Sequence, residues 1–126
     1  MTKVLVVEDS QDISILLAHT LEDMGYAVIE ARDGATGLRM ARVDRPGIIL
    51  LDIMMPAMDG IQVLEQLKSN AVTRSIPVIM VSAKGQDDDI AKAVQAGACS
   101  YVTKPWNLDE LESKVATAEA LNQPAG

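Results

Sequence analysis

Five short apolar runs punctuate the chain: Val4–Val7, Tyr26–Glu30, Ile48–Leu51, Val78–Val81 and Cys99–Val102. The first, third and fourth are almost continuously aliphatic, the pattern of central parallel strands covered on both faces. The second and fifth mix in polar residues and read as flanking strands. The stretches between them have helical spacing. Ile13, Leu16, Leu17, Thr20, Leu21 and Met24 share one face, and Gly25 follows as a stop. Ala35, Leu38 and Ala41 form a second face, and Ile61, Leu64 and Leu67 a third. Ile90, Ala93, Val94 and Gly97 form a fourth, and Leu108, Leu111, Val115 and Ala118 a fifth. Pro46 and Pro77 stand just before strands, where an extended backbone suits them. Five βα units predict an open, doubly wound parallel sheet with helices on both faces. A closed eightfold barrel would need roughly 250 residues. In a doubly wound sheet the site lies outside the carboxyl ends of the strands.

Composition narrows what such a site can bind. The chain has 126 residues, enough for one domain, expected over 1–121 with 122–126 as a flexible C-terminal tail or the cut end of a longer protein. Hydrophobic residues make up 48% and charged residues 23%, which excludes a disordered chain. The aromatics are Trp106, Tyr26 and Tyr101 alone, so the core is aliphatic and stacking on bases is poorly provided for. A net charge of −7 repels phosphate backbones and anionic lipid, which argues against direct nucleic-acid or membrane binding. One cysteine, Cys99, excludes an internal disulfide and suits a reducing compartment. No apolar run approaches the ~18 residues that span a bilayer. A cytoplasmic protein is the expectation.

The strand ends carry the candidate chemistry. Glu8 and Asp9 follow the first strand, Asp52 closes the third, Ser82 the fourth, and Lys104-Pro105 follows the fifth. Two unit charges ~4 Å apart repel by about 4 kcal/mol at an effective dielectric of 20. Three converging carboxylates therefore require either a protonated member or a cation among them. An all-oxygen site with room for water suits Mg²⁺, with Mn²⁺ or Ca²⁺ less tightly specified. Simpler readings exist for single pieces. Asp12 or its neighbours could merely cap the first helix, and Lys-Pro is an ordinary surface turn. Joint placement at four strand ends is what favours a site.

These residues carry a family resemblance along nearly the whole chain. Val4-Leu-Val-Val-Glu8-Asp9, Leu50-Leu-Asp52-Ile-Met-Met-Pro56-Ala-Met-Asp59-Gly60, Val78-Ile-Met-Val-Ser82-Ala83 and Tyr101-Val-Thr-Lys104-Pro105 occur in this order. The chain resembles the receiver domain of bacterial two-component response regulators, of the chemotaxis-receiver kind. The resemblance implies a flavodoxin-like sheet of order 2-1-3-4-5. It implies that Asp52 accepts a phosphoryl group from the phosphohistidine of a sensor kinase or phosphotransfer protein. Glu8, Asp9, Asp52 and the Met54 carbonyl would hold Mg²⁺, while Lys104, the Ser82 hydroxyl and the Ala83 amide would contact the phosphoryl oxygens. Ser82 and Tyr101 would form the switch, read out on the helix 4–strand 5–helix 5 face by a partner, an output domain or a phosphorylation-dependent homodimer. Such a domain supports its own phosphorylation and slow autodephosphorylation, but is not a turnover enzyme.

Two departures stand out. Ser82 sits where the family more often has Thr, keeping the hydroxyl and losing a methyl; Gly47 stands where Asp is frequent. Met54 and Lys84 flank the expected path of a hydrolytic water, and Met54 offers it no hydrogen bond. An aspartyl-phosphate phosphatase would place a second Asp where Met54 stands. A flavin carrier would need a Ser/Thr/Gly-rich loop after the first strand, and a phosphate-independent module would be expected to lose the acids or Lys104. Asp87, Asp88 and Asp89 read as a solvated helix start, His19 as an exposed surface residue, and Cys99 as a small buried hydrophobe. Gly34 and Gly37 lack the Gly-Lys-Ser/Thr of a phosphate loop.

Overall fold

A computed structural model describes residues 2–55, 58–83 and 87–122. The chain alternates β1 (Lys3–Val7), α1 (Gln11–Asp23), β2 (Ala27–Ala31), α2 (Gly34–Asp44), β3 (Ile48–Asp52), α3 (Gly60–Ser69), β4 (Val78–Ala83), α4 (Asp87–Gln95), β5 (Ser100–Lys104) and α5 (Leu108–Asn122). All neighbouring strands pair in parallel, in the order β2-β1-β3-β4-β5. This is the expected flavodoxin-like architecture. β1 and β3 lie inside and β2 and β5 at the edges, as their polarity implies. The register sets β1 and β3 level at Val7 and Leu51, and Asp52 beside Val81. Glu8 and Asp52 therefore leave the sheet at adjacent positions.

Strand alternation divides the core into two layers. Leu5, Val7, Ile49, Leu51, Val78 and Met80 face α2, α3 and α4, meeting Leu38, Ala41, Val63, Leu64, Leu67 and Ala93. Val4, Val6, Ile48, Leu50, Ile79 and Val81 face α1 and α5, meeting Leu17, Leu21, Leu111, Val115 and Ala118. Each fully buried aliphatic side chain contributes roughly 1.5–3 kcal/mol by burial. Interior strands buried on both faces thus hold the strand ends rigidly in place.

Helix ends follow local chemistry. Ser10, not Asp12, caps α1, its hydroxyl accepting the Ile13 N–H at 3.4 Å. Asp12 lies one position inside the first turn, where it complements the helix dipole. Gly25 ends this segment at φ +97°, a conformation that glycine adopts without strain. Asp59 caps α3 by a reciprocal pair with Gln62: its carboxylate accepts the Gln62 N–H at 2.9 Å, and Gln62 Oε1 accepts the Asp59 N–H at 3.1 Å.

Several expected faces are rotated. Leu16 is 57% exposed, because α1 instead turns Ser14, Leu17, Ala18 and Leu21 inward. Ser14 can be buried because its hydroxyl donates to Glu30 Oε1 at 2.6 Å. Ala35 is exposed while Gly34 and Gly37 are buried, against Val63 and Val7. Val94 and Leu108 are also exposed, with Ala93 and Leu111 taking the inward positions. Cys99 is exposed too, not buried as expected. It precedes β5 in the same alternation as exposed Tyr101, on a strand with only one neighbour. His19 is exposed, and Asp87, Asp88 and Asp89 form the first turn of α4, both as expected. α5 continues through Asn122, the expected first residue of the tail; residues 123–126 lie outside the described residues, as do Pro56, Ala57 and Lys84.

Candidate functional site

The carboxyl edge of the sheet collects the buried carboxylates of the described residues. Glu8, Asp52 and Ser82 are buried, Asp52 to 3% exposure, whereas Asp9 is exposed. Burial of two carboxylates demands compensation, and Lys104 supplies it. Its Nζ lies 3.0 Å from Glu8 Oε1 and 3.4 Å from Asp52 Oδ2. Backbone amides satisfy the other oxygens: Ser10 N–H donates to Glu8 Oε2 at 3.1 Å, and Met54 N–H to Asp52 Oδ1 at 3.2 Å. The ladder brings Lys104 opposite Ala83, and Thr103 opposite Ser82.

Compensation is incomplete. Glu8, Asp9 and Asp52 each present an oxygen, and the three lie within 4.8 Å of one another. The Glu8 carboxyl is pushed above its usual range by burial, then by the hydrogen bond it shares with Asp52. That of Asp9 is raised by partial desolvation of the carboxyl, although the residue as a whole is exposed, and then by Glu8. For Lys104, burial acts to lower the pKa, but Glu8 and Asp52 together outweigh it and the net shift is upward. One ammonium between two buried carboxylates, with a third at the mouth, leaves excess negative charge. An all-oxygen donor set of this kind fits a hard divalent cation. Ser82 Oγ is buried and finds no hydrogen-bond partner among the described residues. A buried hydroxyl without a partner costs about 1–3 kcal/mol, so it marks a place where another acceptor belongs.

Similarity to known proteins supplies the context for this edge. Residues 4–116 match the response regulator receiver domain family. The chain belongs to that family. It is 39% identical over 113 residues to the alkaline phosphatase synthesis transcriptional regulatory protein PhoP of Bacillus subtilis, covering 90% of this chain and 46% of PhoP. Protein PilH of Pseudomonas aeruginosa is 39% identical over 111 residues, covering 88% of this chain and 92% of PilH. The crystal structure of a putative response regulator from Chloroflexus aurantiacus superposes with a TM-score of 0.91 at 26% identity, covering 94% of this chain and 98% of that one. The chain spans about half the length of several curated relatives, PhoP among them. Receiver domains of response regulators act as signalling switches, and this is the class of activity to which the chain belongs.

Within this receiver domain the expected residues divide into two groups. Glu8, Asp9, Asp52, Ser82, Ala83 and Lys104 all lie at the carboxyl edge. Met54 joins them through its backbone, while its side chain is 61% exposed beside the site. Tyr101 does not face them. It is 39% exposed, with Lys114 Nζ 4.5 Å above its ring centroid and hydrogen-bonded to its carbonyl oxygen. One contributor escapes the sequence reading, Ser10, whose amide orients Glu8; Gly60, present there only within a motif, donates its amide to the Ile53 carbonyl at 2.8 Å. Ser10 had a signal, being a good capping residue immediately before the first helical turn. Among the described residues no helix is long and apolar enough to cross a membrane.

Proposed function

We propose that this receiver domain is a Mg²⁺-dependent phosphoacceptor switch in which Asp52 receives a phosphoryl group from a phosphohistidine of a sensor kinase or phosphotransfer protein. The observation that carries the reading is the Lys104 ammonium held between Glu8 and Asp52 beside a third carboxylate, Asp9. An Asp52 oxygen forms the new O–P bond as the P–N bond breaks, its electron pair leaving with the imidazole nitrogen. The loose transition state asks mainly for positioning and charge compensation. Lys104 neutralises one phosphoryl oxygen, and Ser82 Oγ donates to another, which would give that hydroxyl its partner. The Ala83 amide is a further donor in this reading, lying opposite Lys104 in the ladder. Glu8, Asp9, Asp52 and the Met54 carbonyl would hold Mg²⁺, with Mn²⁺ as a substitute. When bound, the cation would supply charge neutralisation for the carboxylates and the transferred phosphoryl group.

Autodephosphorylation is slow in this reading, since the Met54 side chain cannot orient a water by hydrogen bonding. The switch is Ser82 with Tyr101. When Ser82 turns toward the phosphoryl group, Tyr101 exchanges its exposed position for the space behind it, and the α4–β5–α5 face changes shape. That face carries exposed Val94 and Tyr101 and would meet a downstream protein, an output domain or a second phosphorylated copy. The domain proper occupies 1–121, is cytoplasmic, and does not itself touch nucleic acid, consistent with its charge of −7. Several relatives are named as transcriptional regulators, so an attached or separate DNA-binding output is the class of effector proposed. Incubation with acetyl phosphate and Mg²⁺, followed by intact mass, should add one phosphoryl group to the parent and none to Asp52→Asn. Equal labelling of both proteins would refute the assignment.

A further inference from the structure

We infer that Gly60, outside the charged cluster, is a positioning residue for Asp52, and that it acts through the backbone. The inference rests on Asp52 being the phosphoacceptor. α3 begins at Gly60, and its first turn lies directly against the end of β3. A Cβ at this position would fall 2.7 Å from Ile53 Cα and nearer still to the Asp52 carbonyl oxygen. Neither neighbour is the free end of a flexible side chain; both belong to the backbone that carries the Asp52 carboxylate. The contact is also bonded, since the Gly60 N–H donates to the Ile53 carbonyl at 2.8 Å. Asp59 then caps the helix with Gln62 and sets the direction of its entry. The start of α3 can thus meet the end of β3 only because position 60 carries no side chain. A methyl group here must push the Asp52–Ile53 peptide away or lift the start of α3.

Displacement at this peptide reaches the site by a short path. Asp52 is held by its own strand and by the Met54 amide, two residues along the same loop. Its Oδ2 must remain near Lys104, and its carboxylate within reach of those of Glu8 and Asp9. Misplacement of a reacting or ligating group by about 1 Å weakens function by one to two orders of magnitude.

The experiment compares Gly60→Ala with Asp59→Ala. The second loosens the same loop by removing the cap but introduces no clash. Mg²⁺ titrations followed by fluorescence of the only tryptophan, Trp106, two residues beyond Lys104, measure the site without chemistry. Labelling by acetyl phosphate, in which an Asp52 O–P bond forms and acetate leaves with the electrons of the broken P–O bond, measures it with chemistry. Gly60→Ala should lose about tenfold or more in both Mg²⁺ affinity and labelling rate. Asp59→Ala should lose about twofold or less in each while melting earlier in urea. A difference between the variants of less than about threefold in Mg²⁺ affinity overturns the inference, because loop loosening alone then accounts for the loss. Should Gly60→Ala not fold, hydrogen exchange on the parent protein decides. Saturating Mg²⁺ should slow exchange of the Gly60 amide more than that of Gly37, whose N–H donates to the carbonyl of Asp33, the residue that caps α2. Equal slowing overturns it. Asp52→Asn in the same labelling assay separates the two claims: if it still labels, the site reading itself fails, whatever Gly60 does.

Discussion

Two half-buried lysines stand at opposite edges of the sheet and meet opposite surroundings. At the carboxyl edge, Lys104 reaches between two buried carboxylates, and its pKa is raised because their pull outweighs burial. At the amino edge, Lys68 on α3 donates to the carbonyls of Arg74 and Ile76 at 3.1 and 2.9 Å. No carboxylate among the described residues compensates it, and burial lowers its pKa. Nearby, Thr73 Oγ1 donates to Leu67 O at 2.7 Å in a fully buried bond. The amino edge is a closed arrangement, in which dipoles tie the turn before β4 to the end of α3. The carboxyl edge is left open, with surplus negative charge and a hydroxyl lacking a partner among the described residues. Charge left uncompensated at a rigid strand end is what favours this side as the proposed site, since a half-buried lysine stands at both edges.

Phosphorylation should break this symmetry most sharply. Lys104→Met should lower the labelling rate by about 100-fold, the scale of removing one donor from a developing charge. Lys68→Met should leave it within about twofold, having no route to the site. Comparable losses from both substitutions, read by intact mass after acetyl phosphate, would erase the proposed difference between the edges.

Stability should divide them differently. Lys104→Met leaves Glu8 and Asp52 facing each other, and should cost about 2–4 kcal/mol at neutral pH without metal. Lys68→Met removes bonds to two carbonyls that water can partly replace, costing about 1–2 kcal/mol. Only the first loss should shrink with acid. The Glu8 carboxyl is already raised above 4.5 in the folded protein, so the folded state binds more protons than the unfolded one as pH falls. The penalty is complete above the folded pKa and disappears below the unfolded one. Urea melts in EDTA at pH 7 and pH 5 distinguish these, and a loss for Lys104→Met that is the same at both pH values contradicts the electrostatic account.

Glu8→Gln sharpens the same point with the opposite sign. Lys104 then faces one buried carboxylate instead of two, so the metal-free protein should gain about 1 kcal/mol at pH 7. The gain should fade as pH falls through the folded pKa of Glu8, and reverse when Mg²⁺ is added, because the parent binds it better. A variant less stable than the parent in EDTA would mean that Lys104 compensates both acids fully.

Much of this edge is legible in the order of residues alone. Runs such as Ile48–Leu51 followed directly by Asp52 announce both a central strand and a carboxylate at its end, because only a strand covered on both faces is so uniformly aliphatic. The rotated helix faces are not legible in that way. Leu16 and Ser14 exchange places because a hydrogen bond to Glu30, sixteen positions away, makes a buried serine cheaper than its polarity suggests. The exposure of Cys99 is hidden because the run Cys99–Val102 mixes polar with apolar residues, and in the strand that follows only Val102 is buried. Gly60 is visible only as part of a motif; its reason is a backbone approach, which leaves no pattern of hydrophobicity or charge.

A third lysine lies between the two extremes and sets the smallest expected effect. Lys114 on α5 shares the carbonyl bonding of Lys68, through Tyr101, and the ion pairing of Lys104, through Glu110 Oε1 at 2.8 Å. The pair spans one helical turn with the acid first, the favourable order, but both members are accessible to solvent, so it contributes only about 0.3–0.5 kcal/mol. Its cation over the Tyr101 ring adds about 0.5–1 kcal/mol, and that share acts only while the ring points outward. Lys114→Met should therefore barely change the urea midpoint, yet weaken the outward state of Tyr101 relative to any inward one. By linkage, a ligand that favours the inward state should then bind about two- to fivefold tighter. Beryllofluoride with Mg²⁺, titrated against parent and variant, measures this. Unchanged affinity, with Tyr101 still moving in the parent on binding, would show that Lys114 braces the edge strand as Lys68 braces its turn and takes no part in the switch.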